Sequence, residues 1–108
     1  MEREEVLKHL EKKAEIDMLT GLLNRSTCVR QIDDILKMRR DSGLFLMLDL
    51  DHFKMVNDCF GHDIGDKALV LVSEILKKFV RSDDILGRIG GDEFVIFYRG
   101  VWNEEAIK

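Results

Sequence analysis

Proline is absent from this sequence, and cysteine, tryptophan and tyrosine nearly so, with two, one and one among 108 residues. Without proline, no turn is pinned by a fixed φ. Cys28 and Cys59 are too few for a disulfide framework and too far apart for a metal-binding pair, which makes a cytoplasmic location the default. No apolar run approaches the roughly 18 residues a membrane span needs, and no N-terminal stretch has the make-up of a secretory signal. A basic excess is lacking as well. Seventeen Lys and Arg face twenty-one Asp and Glu, for a net charge of −4, so neither nucleic acid nor membrane contact is expected of this segment. What is present is a 45% hydrophobic composition rich in Leu, Ile and Val beside 35% charged residues. That combination excludes disorder and gives one small domain, burying about 65% of its unfolded surface.

The negative charge is concentrated. Between positions 49 and 66 stand Asp49, Asp51, Asp58, Asp63 and Asp66 against the single Lys54, so this stretch alone carries a formal −4. It follows directly on the apolar run Leu44-Phe45-Leu46-Met47-Leu48. A solvated acidic loop is one reading. The other is a buried strand that ends in closely spaced carboxylates, a usual way to hold a hard cation.

Along the chain, Val6, Leu10 and Ala14 recur at a spacing of four in a charged context, predicting a narrow-striped helix over 1–16 that acts as a stalk. A turn is expected at Thr20-Gly21. Asn24 or Ser26 then caps a helix reaching to about residue 40, with Cys28, Val29, Ile32, Ile35, Leu36 and Met38 as its apolar face. Residues 44–50 read as a central strand covered on both sides. A short helix over 53–60 stops at Gly61, and a second follows Gly65. Residues 85–89 and 94–98 form two strands joined by a diglycine turn, and Asn103 is a candidate cap for a last helix.

At the hairpin tip stands Gly90-Gly91-Asp92-Glu93-Phe94. Two glycines permit positive φ and close approach of a ligand to the backbone. A Gly-Gly-Asp turn alone signals no more than a hairpin. The full pentapeptide, however, resembles the hallmark of the GGDEF family of diguanylate cyclase domains. Three further segments are similar to that family's motifs: residues 17–25 (DMLTGLLNR), 49–54 (DLDHFK) and 57–66 (NDCFGHDIGD). The resemblance implies an α/β (α+β sandwich) domain over 17–108, palm-like and related to the nucleotidyl cyclases, with a central and mainly antiparallel sheet.

It also implies a reaction: two GTP condensed into cyclic di-GMP with release of pyrophosphate, across a homodimer, with Mg2+ or Mn2+. By the match, Asp49, the backbone carbonyl of Leu50, and Asp92 hold metal, while Asp92 and Glu93 are the catalytic acid or base. Glu93 has an alternative role bonding amides in the turn. Asp51 shares a strand face with Asp49, but a cap before Phe53 is its expected role. Asn57 and Asp66 match the guanine readers. An aspartate accepting from the N1–H and exocyclic amine of guanine would reject adenine. From the residues alone, Asn57 is equally a helix-terminal residue and Asp66 a cap. His62 shapes the pocket or sits in a turn. Amides near His52 and Phe53 would hold phosphates, helped by Lys54. Arg81-Ser82-Asp83-Asp84 resembles the family's inhibitory site, where cyclic product would meet Arg81 and Asp84; a surface ion pair is the plainer reading. Arg88 is expected to form a structural ion pair with Asp17. Cys28 and Cys59 are expected to pack.

Two functions are therefore in play. One is a cyclase domain acting as the cytoplasmic output of a larger sensor. The other is a catalytically incompetent module that binds GTP or cyclic di-GMP. Family domains continue through a further helix, strand and basic phosphate-gripping segment that the resemblance does not reach before Lys108. The C-terminally short chain is thus expected to bind GTP weakly and turn it over little.

Overall fold

A computed structural model describes residues 14–38 and 43–100. Its elements run α1 (Arg25–Lys37), β1 (Gly43–Asp49), α2 (Phe53–Phe60), α3 (His62–Lys77), β2 (Ile85–Arg88) and β3 (Glu93–Arg99). The three strands form one antiparallel sheet in the order β1-β3-β2.

The sheet is covered on both faces, and the alternation along β3 decides which residue goes where. Phe94 and Ile96 join Leu22, Leu69, Leu76 and Leu86 in a cluster under α3. Phe97 turns to the other face and meets Cys28, Ile35 and Ile85 under α1. A strand buried on both sides reads as continuously apolar, as Phe94-Val95-Ile96-Phe97 does.

The sequence assigns that central role to β1, and the structure gives it to β3. Among the described residues β1 pairs on one side only, and Phe45 and Met47 keep 49% and 59% of their surface in solvent. Half of the expected α1 stripe is likewise uncovered. Cys28 and Ile35 are buried, whereas Val29, Leu36 and Met38 are exposed. Apolar content locates a strand, but which strand becomes the middle one depends on pairing partners remote in sequence.

The other edge of the sheet is partly closed. Leu23 bridges Gly87 of β2 and also Ile16, with Leu23 N–H donating to the Leu86 carbonyl (3.3 Å) and Arg88 N–H to that of Leu23 (2.9 Å). Gly87 permits this approach. A methyl there would overlap Cys28 Sγ and stand 2.8 Å from the Leu23 carbonyl oxygen.

Caps and turns explain the rest. Asn24 caps α1 by accepting from Thr27 N–H at 3.0 Å. Gly61, at φ +90°, ends α2 and leads straight into α3, which therefore begins at His62 and takes Gly65 inside its first turns rather than following it. Residues 1–13 of the stalk expected over 1–16, and the candidate helix at Asn103, lie outside the described residues; residues 14 and 15 are helical.

Candidate active site at the end of the first strand

Strands β1 and β3 bring two acidic segments together. Asp49, last residue of β1, is the register partner of Glu93, first residue of β3. Beyond this pair, Leu50 N–H donates to the carbonyl of Asp92 at 3.1 Å, tying the strand end to the hairpin tip. Asp49 and Asp92 line one cleft. The Asp92 charge is the main reason the Asp49 carboxyl titrates above the ordinary 3.8, with desolvation, Glu93 and Asp51 adding in the same direction. Like charges set opposite one another oppose folding.

A cleft of about 380 Å³ opens at this point, lined by Asp49, Leu50, Asp51, His52, Phe53, Lys54 and Asp92. Only three residues link β1 to α2, and the link closes because His52 takes a left-handed conformation (φ 59°, ψ 23°). For a residue with a Cβ this costs of order 1–2 kcal/mol. Asp51 does not cap α2 as expected. It is exposed, lies 3.5 Å from His52 Nε2, and the helix start has no side-chain cap. Phe53 reaches from the cleft wall into the α3-side cluster, and Lys54 remains exposed.

Asn57 stands in the last turn of α2, where its carbonyl accepts from Gly61 N–H, and Asp66 is not a cap. Each lies inside its helix, and the packing of α2 on α3 sets Asn57 against Gly65, the neighbour of Asp66. His62 is the exposed first residue of α3. The positive φ that the diglycine permits is not used: the glycines with positive φ are Gly21, Gly61 and Gly100.

The hairpin tip is instead held by Arg88, a role the sequence did not suggest. Its Nε donates to the carbonyls of Gly90 (3.1 Å) and Gly91 (3.2 Å), and Nη2 donates to Gly91 (2.8 Å). Nη1 reaches both oxygens of Asp17 at 3.2 Å, the ion pair expected from the sequence. Burial alone would raise the Asp17 carboxyl. Donation from the Thr20 hydroxyl and amide and from Arg88 outweighs it and holds Asp17 below 3.8.

Arg81 and Asp84 stand elsewhere. Asp84 accepts from Arg81 N–H at 2.8 Å and Arg99 N–H at 3.0 Å, with Arg81 Nε at 3.5 Å. Arg99 ends β3 and Glu93 begins it, so at ~3.3 Å per residue this pair sits about 20 Å from the acidic cleft. Burial raises the Asp84 carboxyl, but the two backbone donors and the Arg81 charge bring it below 3.8. Cys28 packs as expected, and burial pushes its thiol up to about 11, while Cys59 is exposed and does not pack.

Two carboxylates and a nearby main chain at one cleft are what a magnesium-type ion takes from protein. Among the described residues no group of three or more His, Cys, Asp or Glu is arranged to hold a metal ion. Nor is any helix among them long and apolar enough to cross a membrane.

Compared with known proteins, residues 14–108 match the family model described as "Diguanylate cyclase, GGDEF domain". The chain belongs to the GGDEF family. Within that family it is 42% identical over 95 residues to the probable diguanylate cyclase DgcC of Escherichia coli, covering 84% of this chain and 25% of that protein. It is 41% identical over 93 residues to the cyclic di-GMP phosphodiesterase PdeB of Shewanella oneidensis, covering 85% of this chain and 11% of PdeB. The coiled coil and GGDEF domain of DgcB from Caulobacter crescentus, solved in complex with c-di-GMP, superposes with a TM-score of 0.87 at 26% identity. That match covers 96% of this chain and 56% of the DgcB chain. The α+β palm-like fold is that of these GGDEF domains, and the chain spans a quarter or less of the two curated relatives.

Proposed function

We propose that this GGDEF domain binds GTP with Mg2+ and, as one half of a homodimer within a longer protein, condenses two GTP into cyclic di-GMP. The observation that carries the reading is the meeting of Asp49 and Asp92 at a cleft whose far wall is the start of α2. Every neighbour that perturbs Asp49 is itself acidic, so the pair gains from a cation.

Asp49, Asp92 and the Leu50 carbonyl would hold the ion, with Mn2+ as a substitute. When bound, the ion offsets phosphate charge and lowers the pKa of the attacking hydroxyl. The chain's own residues do the remainder. Asn57 and Asp66 read the guanine edge, with His62 at the rim and Phe53 as the floor. Lys54 and the first amides of α2 meet the phosphates. The 3′-oxygen of one GTP attacks the α-phosphorus of the other as its proton passes to Asp92 or Glu93. The α–β phosphoanhydride bond breaks and pyrophosphate leaves. A second, symmetric condensation closes the ring. Arg81 and Asp84 serve as the remote product site.

The test is release of pyrophosphate and cyclic dinucleotide from Mg-GTP by a longer protein containing this sequence. Asp92→Ala, with folding intact, should lower the rate at least about 100-fold, and an unchanged rate refutes the assignment. The 108-residue chain alone should bind Mg-GTP weakly and form little product, and a normal rate from it refutes that expectation. Identity with a protein named as a phosphodiesterase supports a second reading, a non-catalytic module that holds GTP or cyclic di-GMP. In that case the longer protein binds both and releases no pyrophosphate.

A further inference from the structure

Asn57 has an unusual setting. Its Oδ1 is buried without a hydrogen-bond partner. No hydrogen bond holds that oxygen where it sits, and the space around it does.

That space is supplied by Gly65. This residue is buried in α3 and donates its N–H to the Gly61 carbonyl at 3.1 Å, an ordinary helical bond. Its φ is not positive, so the backbone there would accept any L-residue. Glycine inside a helix is also less favourable than alanine. Neither conformation nor propensity accounts for glycine at this position, and close approach does. A methyl on Gly65 would overlap Asn57 Oδ1, stand 2.9 Å from Asn57 Cγ and lie 3.3 Å from Phe53 Cζ.

We infer that Gly65 is a positioning residue for base recognition: the space left by its missing Cβ is the slot in which the Asn57 carboxamide seats, one residue from Asp66. The inference rests on the reading that Asn57 and Asp66 meet the guanine. Any side chain at position 65 expels the carboxamide, and the guanine edge loses one reader while Asp66 stays in place. Selectivity for guanine over adenine then depends on a residue that touches no nucleotide.

The experiment is a double-mutant cycle of Gly65→Ala and Asn57→Ala on the 15N-labelled chain, read in two ways. In the nucleotide-free protein, Gly65→Ala should move the Asn57 side-chain amide resonances. In titrations with Mg-GTP and Mg-ATP, Asn57→Ala and Gly65→Ala should each cut the GTP-over-ATP preference by about tenfold, the loss of one well-formed bond to the base. Added to Asn57→Ala, the Gly65→Ala change should cost less than a further twofold. Unmoved Asn57 resonances, an unchanged preference in Gly65→Ala, or losses that multiply in the double variant overturn the inference. If Asn57→Ala itself keeps the preference, the base-reading role falls and the inference with it. If Asn57→Ala loses the preference and Gly65→Ala does not, the inference alone falls. Should Gly65→Ala fail to fold, the double variant must fold, because its slot is empty. A double variant that also fails overturns the proposal.

Discussion

The Asp17–Arg88 pair offers a measurable link between the loop before α1 and the hairpin that carries Asp92. Asp17 accepts from Thr20 N–H at 2.9 Å and Thr20 Oγ1 at 2.7 Å, and from Arg88 at 3.2 Å on each oxygen. Bonds to a charged group contribute about 1.5–3 kcal/mol each when shielded. The side chains of Arg88 and Asp17 keep 16% and 22% of their surface in solvent, so water replaces part of what is lost. Asp17→Ala should then destabilise the domain by about 2–3 kcal/mol. Arg88→Ala should cost a similar amount, because it also releases the carbonyls of Gly90 and Gly91. The two should couple by about 1 kcal/mol, between the values for exposed and buried pairs.

Urea unfolding of the wild type, both single variants and the double, at several pH values, measures these quantities. The sign of the pH effect follows from Asp17 being held below its ordinary value. Its contribution is complete above the unfolded pKa of about 3.9 and is lost as pH falls through that value towards the lower folded one. The gap between wild type and Asp17→Ala should therefore be constant above about pH 5 and shrink between about pH 5 and 3. A gap independent of pH across that window, or a coupling below about 0.3 kcal/mol, refutes the pair as a working link.

Three further outcomes are expected. Gly87→Ala should cost about 3 kcal/mol in urea unfolding, and Cys28→Ala should not rescue it, since the Leu23 carbonyl at 2.8 Å remains in the way; full rescue would disprove the backbone clash. Cys59 should react with a thiol reagent at neutral pH while Cys28, buried and pushed up to about 11, stays unmodified until the domain unfolds; equal rates would contradict the burial. Asp49→Asn should raise the melting temperature at pH 7 but not at pH 3.5, because a carboxyl with a raised folded pKa opposes folding only once ionised; the same variant should weaken Mg-dependent GTP binding, and a lower melting temperature at pH 7 would show Asp49 to be structural.

Much of this was legible in the sequence where the cause is local. The apolar spacing and Gly61 delimit α2 correctly, the Asn24 side chain caps α1, and the hairpin strands lie within a residue or so of their expected bounds. The acidic cluster was visible because strand end and hairpin tip each announce themselves by composition. What escaped depends on contacts across the fold. Nothing near Leu44-Phe45-Leu46 says that, among the described residues, β1 pairs on one side only. Gly65 read as the residue before the second helix, and only the packing of α2 on α3 shows its use inside it. Asp51 had the composition of a cap, but the left-handed turn at His52 leaves it exposed beside a helix start with no side-chain cap.

The carboxylates of this domain divide into two kinds, and the division separates folding from chemistry. Asp17 and Asp84 are each surrounded by donors that bring them below 3.8 despite burial, and each joins segments far apart in sequence. Asp84 in particular has a side chain only 1% exposed and binds the amide of Arg99. A ligand at the Arg81–Asp84 site would meet chiefly Arg81, whose side chain is 66% exposed although Nη2 donates to the Arg99 carbonyl. Asp84 would then act by holding Arg81 in place. Asp49 has the opposite surroundings, with Asp92, Glu93 and Asp51 all raising it. A group that its neighbours make costly to ionise adds nothing to the fold at neutral pH. Under the proposed function, its presence opposite Glu93 and beside Asp92 would be accounted for by a cation arriving with the substrate, and the part of the net charge that opposes folding would be the part the reaction uses.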